Sequence, residues 1–332
     1  MSLNVALPLF LACLLLAVIS SAVLSRRLDR VGTHLGFSEG LLGLLTALGA
    51  DSPEIATAVT ALVGGQHDLG SGVIFGSNLF NLAALFGLGA LVAGRISCGW
   101  ATLLLNAGVA VAITAVLAWQ KLTNIAPLIP GALLALIVLP YVAVLAVKPS
   151  QLRQNFIPAF ATRWLQAAAQ DPEVNAGRER FPTAPSWAET LAIVPLLAMV
   201  VLSSIGMVRA AGVLAAAFGI SDVVLGTLIL ATLTGIPNAV AAVRLAIQGR
   251  GGAVVSETFN SNSLNLIVGA YLPTLFVAMQ PLSGTGRFAL WWLLGGTVLA
   301  TLLFLRRAVL TRWEGGLLIT GYAVFAWLVA SV

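Results

Sequence analysis

Charge is what this chain has least of. Only 9% of its 332 residues are Asp, Glu, Lys or Arg, against 59% hydrophobic residues, and the mean hydropathy is +1.00. A water-soluble domain of this length needs far more surface charge, so the solvent implied is lipid. Cysteine is nearly as scarce: Cys13 and Cys98 lie in or beside apolar runs, and nothing about them suggests a disulfide or a metal cluster. The two histidines, His34 and His67, read with Asp68 as ordinary interfacial residues. No nucleophile–base pairing, phosphate loop or ATP site is visible, which argues against an enzyme. No Lys or Arg precedes the first apolar run, whereas Arg26, Arg27 and Arg30 follow it. That order is the reverse of a secretory signal peptide and predicts a retained helix with its N-terminus outside.

Apolar runs fill most of the rest, near 3–24, 40–65, 70–93, 99–119, 125–147, 189–218, 223–248, 253–279, 287–306 and 313–331. Each is long enough to cross about 30 Å of hydrocarbon as a helix. β-barrel strands would be shorter and would alternate, so the expected fold is an all-α membrane protein of ten transmembrane helices. With that count, both termini lie outside. Of 17 basic residues, all but Lys121, Arg209 and Arg287 then fall on the inner side. The basic pI of about 9.9 therefore reports orientation in the bilayer and not nucleic-acid binding.

The longest polar stretch, Lys148 to Trp187, contains Pro158, Pro172, Pro182 and Pro185. It reads as a cytosolic linker over 148–188, with a short surface helix expected around 162–170. The linker separates a first five-helix repeat, 1–147, from a second, 189–332. Five is odd, so the second half enters the membrane in the opposite sense. The two repeats are then inverted, and equivalent motifs face each other near the midplane.

A short polar pattern is written in both halves. Gly49-Ala-Asp-Ser-Pro-Glu54 followed by Gly76-Ser-Asn-Leu-Phe-Asn81 returns as Thr234-Gly-Ile-Pro-Asn238 followed by Asn260-Ser-Asn-Ser-Leu-Asn265. Pro53 and Pro237, Ser77 and Ser261, and Asn81 and Asn265 are each 184 positions apart. Ser38-Glu39 and Ser221-Asp222 open the two motif-bearing spans as helix N-termini. Pro53 and Pro237 are helix-breaking residues in mid-span, and they should free carbonyls around Ala47–Ala50 and Ala231–Thr234 for other partners.

Glu54 should lie near the bilayer centre, where a carboxylate is paired, hydrated or functional. No basic residue lies deep in any span, which leaves a cation or a proton to neutralise it. Asp51 stands three residues earlier on the same face, and two carboxylates this close need a cation or shared proton between them. An alternative places Asp51 in a polar crevice, binding nothing. Ser77 and Asn81, with Ser261 and Asn265, present hydroxyl and amide oxygens; singly such residues also glue helices together, but a symmetric set favours ligation. Asn78 and Asn262 face away and are expected to satisfy backbone. Glu257 shares the face of Ser261 and Asn265 toward the cytosolic end of its span. It is a candidate for a proton or access path, or an interfacial carboxylate reaching water. Oxygen ligands of this kind suit Na⁺ or Ca²⁺.

These motifs resemble the α-repeats of the cation/Ca²⁺ antiporter superfamily, to which the sodium/calcium exchangers belong. The first repeat matches through Ala47, Gly49, Ser52-Pro53-Glu54, Gly76-Ser77-Asn78 and Asn81; the second through Ala231, Thr234, Pro237, Ser261, Asn262 and Asn265. The resemblance implies a central cation site with Glu54 as a metal ligand. Asp51, where the family has a hydroxyl, is a second metal ligand if it points into the site; otherwise Glu54 alone suits a monovalent ion or proton better. Ser77, Asn81, Asn238, Ser261 and Asn265 would complete the site, with Thr234 and carbonyls near Ala47 and Ala231. Where both family repeats supply a glutamate, the second position here is Asn238. A hydroxyl of the first repeat has become Asp51, and its counterpart in the second is Gly235.

The expectation is thus a secondary active cation antiporter working by alternating access, in which the first and sixth spans slide across the others. It would exchange Ca²⁺ or a similar cation for Na⁺ or H⁺, without a cofactor. A monovalent cation/H⁺ exchanger of the same fold, or a transport-inactive cation-sensing homologue, are the alternatives. An intramembrane enzyme with Glu54 and Asp51 as paired acids ranks below both, since such a pair would come from two helices. Inorganic cations and the lipid bilayer are the expected partners, and a bacterial inner membrane the expected location.

Overall fold

A computed structural model describes residues 1–146, 185–278 and 280–331. The surface helix expected around 162–170 and nearly all of the linker lie outside them. The described chain is almost entirely helical. In order come α1 (Leu3–His34), α2 (Glu39–Ala50), α3 (Ser52–Val63), α4 (His67–Ala93), strand β1 (Arg95–Ser97), α5 (Trp100–Thr123) and α6 (Leu128–Ala146). After the linker follow α7 (Trp187–Phe218), α8 (Asp222–Ile247), α9 (Gly251–Leu264), α10 (Gly284–Leu305), strand β2 (Val309–Thr311) and α11 (Arg312–Ala330).

Eight of these helices are long and apolar enough to cross a membrane, and two of the ten expected spans are divided into shorter pieces. The second expected span is two helices of 12 residues each, α2 and α3, meeting at Asp51. Pro53 explains the junction. It has no N–H to donate, and it sits in the first turn of α3, where none is needed. The eighth expected span begins as α9 and continues as a wider π turn, Asn265–Tyr271, before a 3₁₀ turn, Leu272–Leu275. A similar π segment, Leu82–Leu88, lies inside α4 directly after Asn81, and another, Leu225–Leu230, inside α8. Such widened turns commonly mark functional places in helices.

Ser38 caps α2 by accepting from Leu41 N–H, and Ser221 caps α8 from Val224 N–H, as their sequence positions led one to expect. The short antiparallel ribbon of β1 and β2 lay outside the sequence expectation; Arg95, Ile96 and Ser97 pair with Thr311, Leu310 and Val309. α1 and α7 pack along one another as a pair. Arg30 binds Glu189 at 2.5 Å where their ends meet, and Arg27 donates to the Glu189 carbonyl at 3.3 Å. α4 lies deepest, nine-tenths buried, between α3, α8 and α10. The apolar core below the site is tied by Phe86, edge-on to both Phe259 and Phe304 at 5.2 and 5.0 Å between centroids.

Candidate cation-binding site

The α2–α3 junction delivers two carboxylates into the protein interior. Glu54, in the first turn of α3, has no exposed surface, and Asp51 has 1%. Facing them are α4, α8 and α9. Asp51 Oδ1 accepts from Asn238 Nδ2 at 2.7 Å and from Ser261 Oγ at 2.9 Å. Glu54 Oε2 accepts from Asn265 Nδ2 at 2.8 Å. No Lys or Arg among the described residues pairs with either acid.

Four asparagines then join the two carboxylates into one network. Asn78 Nδ2 donates to the Asn262 carbonyl at 2.9 Å, and Asn262 Nδ2 donates back to the Asn78 carbonyl at 3.1 Å. Asn81 Nδ2 donates to Asn262 Oδ1 at 3.1 Å, and Asn265 Nδ2 donates to Asn78 Oδ1 at 3.1 Å. Each bond has its mirror image between residues 184 apart, the separation of the sequence motifs. Asn81 Nδ2 also reaches Ser261 Oγ at 3.0 Å, closing the path from Glu54 to Asp51. Asn78 and Asn262 do satisfy backbone, as expected from sequence, but across the two helices, and they do not face away: their Oδ1 atoms accept from Asn265 and Asn81. They fix α4 against α9, a role that needs both helices and is invisible in either motif alone.

Once these bonds are drawn, the amide hydrogens named above are engaged and oxygens are left over. Asp51 Oδ2, Glu54 Oε1, Asn81 Oδ1 and Asn265 Oδ1 are buried without a hydrogen-bond partner, and the buried Ser77 hydroxyl lies beside the Glu54 carboxylate. A single orphaned acceptor costs about 1–3 kcal/mol, and an uncompensated buried charge more. Four in one network, with the Ser77 hydroxyl beside them, describe a set of oxygen ligands, the donor type that hard cations take. Among the described residues no cluster of three or more His, Cys, Asp or Glu exists, so the set is two carboxylates with neutral oxygens. Thr57 Oγ1, one turn beyond Glu54 on α3, is likewise buried and unpartnered. Its spacing of three from Glu54 was the signal that could have found it.

The carbonyls expected to be freed by the prolines are instead used locally. Ala47 O accepts from Asp51 N–H at 2.8 Å, and Gly49 O from Ser52 Oγ at 2.7 Å. In α8, which runs on through Pro237, Thr234 Oγ1 turns back to Leu230 O at 2.8 Å and Ala231 O at 3.4 Å. The reason is geometric: the break at Asp51 is one turn wide, and a hydroxyl or N–H one turn away reaches the exposed carbonyl. Each carbonyl keeps a second lone pair.

A crevice leads to the network from one end. Ala47, Ala50, Pro237, Asn238, Asn260 and Glu257 line it, with Arg26 and Arg250. Glu257 is half-buried there, away from the two acids' hydrogen-bond network. Asn260 lies beside Tyr141 and Asn106, both buried: Tyr141 Oη hydrogen-bonds Asn260 Oδ1, and Asn106 Oδ1 at 2.8 Å. Sequence reading missed Asn106 and Tyr141, which belong to no repeated motif. At the opposite end the site is shut. A Cβ added to Gly76 would meet the Thr227 carbonyl oxygen at 2.2 Å, and one added to Gly226 the Leu69 carbonyl at 2.4 Å.

Comparison with known proteins places the chain in a family and a fold. The family described as "Sodium/calcium exchanger protein" matches residues 5–161 and 189–330. The protein named "Putative antiporter CaxA" of Alkalimonas amylolytica is 25% identical over 314 residues, covering 91% of each chain. The fold is shared with the H⁺/Ca²⁺ exchanger CAX, at a TM-score of 0.71 and 15% identity over 98% of this chain and 85% of that one. It is also shared with the sodium–calcium exchanger NCX_Mj, at a TM-score of 0.61 and 22% identity over 97% and 98% of the two chains. These relatives are exchangers and not enzymes. An integral, multi-pass membrane protein with a buried oxygen-lined acidic site, this chain belongs to the sodium/calcium exchanger protein family.

Proposed function

We propose that the protein is a secondary active antiporter that exchanges Ca²⁺, or a divalent cation of similar size, for Na⁺ or H⁺ at the Asp51–Glu54 site. The observation that carries this is the set of four partnerless buried oxygens, one from each carboxylate and two from asparagines. Two carboxylates favour a divalent ion over a monovalent one, because ligand charge count raises divalent affinity. Asp51 supplies the second negative charge from the first half, opposite Asn238 at 2.7 Å. Glu54 is the central ligand. Ser77, Asn81, Asn238, Ser261 and Asn265 frame it, with Thr234 and the Ala47 and Ala231 carbonyls at its edge.

Ten crossings in two inverted five-helix halves fit the loop contacts. Ser38 reaches the Leu145 carbonyl, Arg30 reaches Glu189, and β1 pairs with β2. With the N-terminus outside, all six of those segments fall on the inner side. Asp68 Oδ1 accepts from Ser283 N–H at 3.3 Å, and Tyr271 Oη donates to the Pro127 carbonyl at 2.9 Å. Those four segments fall on the outer side. On this orientation the crevice beside Arg26 and Arg250 opens inward, and the Gly76–Thr227 contact closes the outer side. Alternating access would reverse the two as α1 and α7 slide together. Glu257 stands on the inward path and is placed to meet ions or protons entering it.

The test is a flux assay in proteoliposomes, with ⁴⁵Ca²⁺ and an internal pH dye, across candidate cations at several pH values. Cation-coupled Ca²⁺ movement is expected from the wild type and none from Glu54→Gln. Normal exchange by the folded Glu54→Gln variant would overturn the central role of that carboxylate.

A further inference from the structure

Gly235 stands 184 positions after Asp51, and it faces Glu54 as Asn238 faces Asp51. A Cβ built at Gly235 would lie 3.4 Å from Glu54 Oε1, the unpartnered oxygen of that carboxylate. It would also lie 2.7 and 3.0 Å from Phe80 Cδ1 and Cε1. The space beyond the free oxygen is therefore taken by one edge of an aromatic ring and a bare glycine backbone. Neither offers an oxygen ligand, and a ring edge carries the positive side of the aromatic quadrupole, which repels a cation.

The ring is half-buried and has an aromatic neighbour. Phe80 packs edge-on against Tyr322, at 5.9 Å and 69°. Tyr322 is held in turn by a hydrogen bond between its hydroxyl and Thr232 Oγ1 at 3.0 Å, and by Phe325 at 6.2 Å. On the other flank, the neighbours are the oxygen-bearing Asp51, Ser261, Asn81 and Asn265. On the Gly235 side Glu54 therefore meets hydrocarbon, whereas oxygens lie between the two acids and, from Ser77 and Thr57, elsewhere around Glu54.

We propose that Phe80, seated against Gly235, is a specificity-determining residue that limits the site to one cation at a time. This rests on the antiporter reading above and adds to it that the exchanging ions compete for a single position. No second monovalent ion lodges on the Gly235 side of Glu54.

Ca²⁺ binding to the purified full chain in lipid nanodiscs, displaced by Na⁺, tests this. For the wild type, either Na⁺ displaces Ca²⁺ with a Hill coefficient of about 1 or it does not displace it. Phe80→Ala combined with Gly235→Ser opens the volume and adds a hydroxyl beside Glu54 Oε1. It should steepen the Na⁺ curve to a Hill coefficient approaching about 2 and raise Na⁺ potency about tenfold. Gly235→Ser alone, which runs into the ring, should weaken Ca²⁺ binding without steepening the curve. A wild-type Hill coefficient of about 2 or more would overturn the proposal whether or not the variants fold. So would a folded double variant with the wild-type curve. A wild type that binds no cation removes the antiporter reading itself, and this inference with it.

Discussion

Two regions at corresponding positions of the halves meet the site from opposite ends, and they differ in side-chain size. At one end Gly72 and Gly76 of α4 lie against Thr227 of α8, with backbone on backbone. At the other, 184 positions away in each case, Ser256 and Asn260 of α9 stand where the glycines were, and Gly43 stands where Thr227 was. Those residues line the open crevice, and nothing lies within 4 Å of a Cβ added to Gly43. The closed end is closed because it has no side chains to separate the helices. Asn260, bonded to Tyr141, gives the open end a polar wedge that its counterpart lacks. The same network of asparagines sits between both ends, so the difference in opening comes from packing and not from the ligands.

The largest expected effect breaks the closed end. Gly76→Ala places a methyl group 2.2 Å from a backbone oxygen that has no rotamer to change. It should cost more than the roughly 1–3 kcal/mol of ordinary overpacking and abolish transport, read by thermal unfolding and flux. Gly43→Ala, in open space, should change stability by about 1 kcal/mol at most. Equal costs for the two would remove the distinction between the ends.

Asp51→Ser leaves Asn238 Nδ2 without its carboxylate and takes one negative charge from the site. Ca²⁺ affinity should fall on the order of a hundredfold, with a smaller loss for monovalent ions, read by titration calorimetry. Equal losses would show that Asp51 is not a ligand. Asn260→Gly restores the small residue of the other end. It should let the crevice narrow, lowering the labelling rate of a cysteine placed at Ala50 by a few-fold, or about 1 kcal/mol of population shift. Unchanged labelling would mean that the wedge does not hold the crevice open. The smallest effect is expected from Glu257→Gln, which lines the crevice outside the acid network. Exchange should persist with an altered pH profile, and an unchanged profile takes Glu257 off the proton path.

Much of the site was legible because its signal is local. Acids, prolines and Ser/Asn pairs stand out in apolar sequence, and a constant separation ties the two halves together. A helix period then places Ser77 with Asn81 and Ser261 with Asn265 on common faces. What escaped depends on how helices are rotated against one another. The reciprocal Asn78–Asn262 bonds, the Phe80 wall behind Glu54 and the Tyr141–Asn106–Asn260 cluster each need two or three helices at once. The different outcomes at the two prolines depend on packing as well. Pro53 marks a disruption, but whether the helix runs on through a proline, as at Pro237, or restarts before it depends on what packs around the turn. The β1–β2 ribbon is three residues per strand, too short for any alternation to register.

The central claim is that leftover oxygens between Asp51 and Glu54 hold the transported cation. Anomalous diffraction from crystals soaked in Sr²⁺, a heavier surrogate for Ca²⁺, tests it most directly. One peak is expected within about 2.3–2.6 Å of Glu54 Oε1 and Asp51 Oδ2, and it should vanish in Glu54→Gln. A peak elsewhere, or one that survives the substitution at full height, would contradict the account.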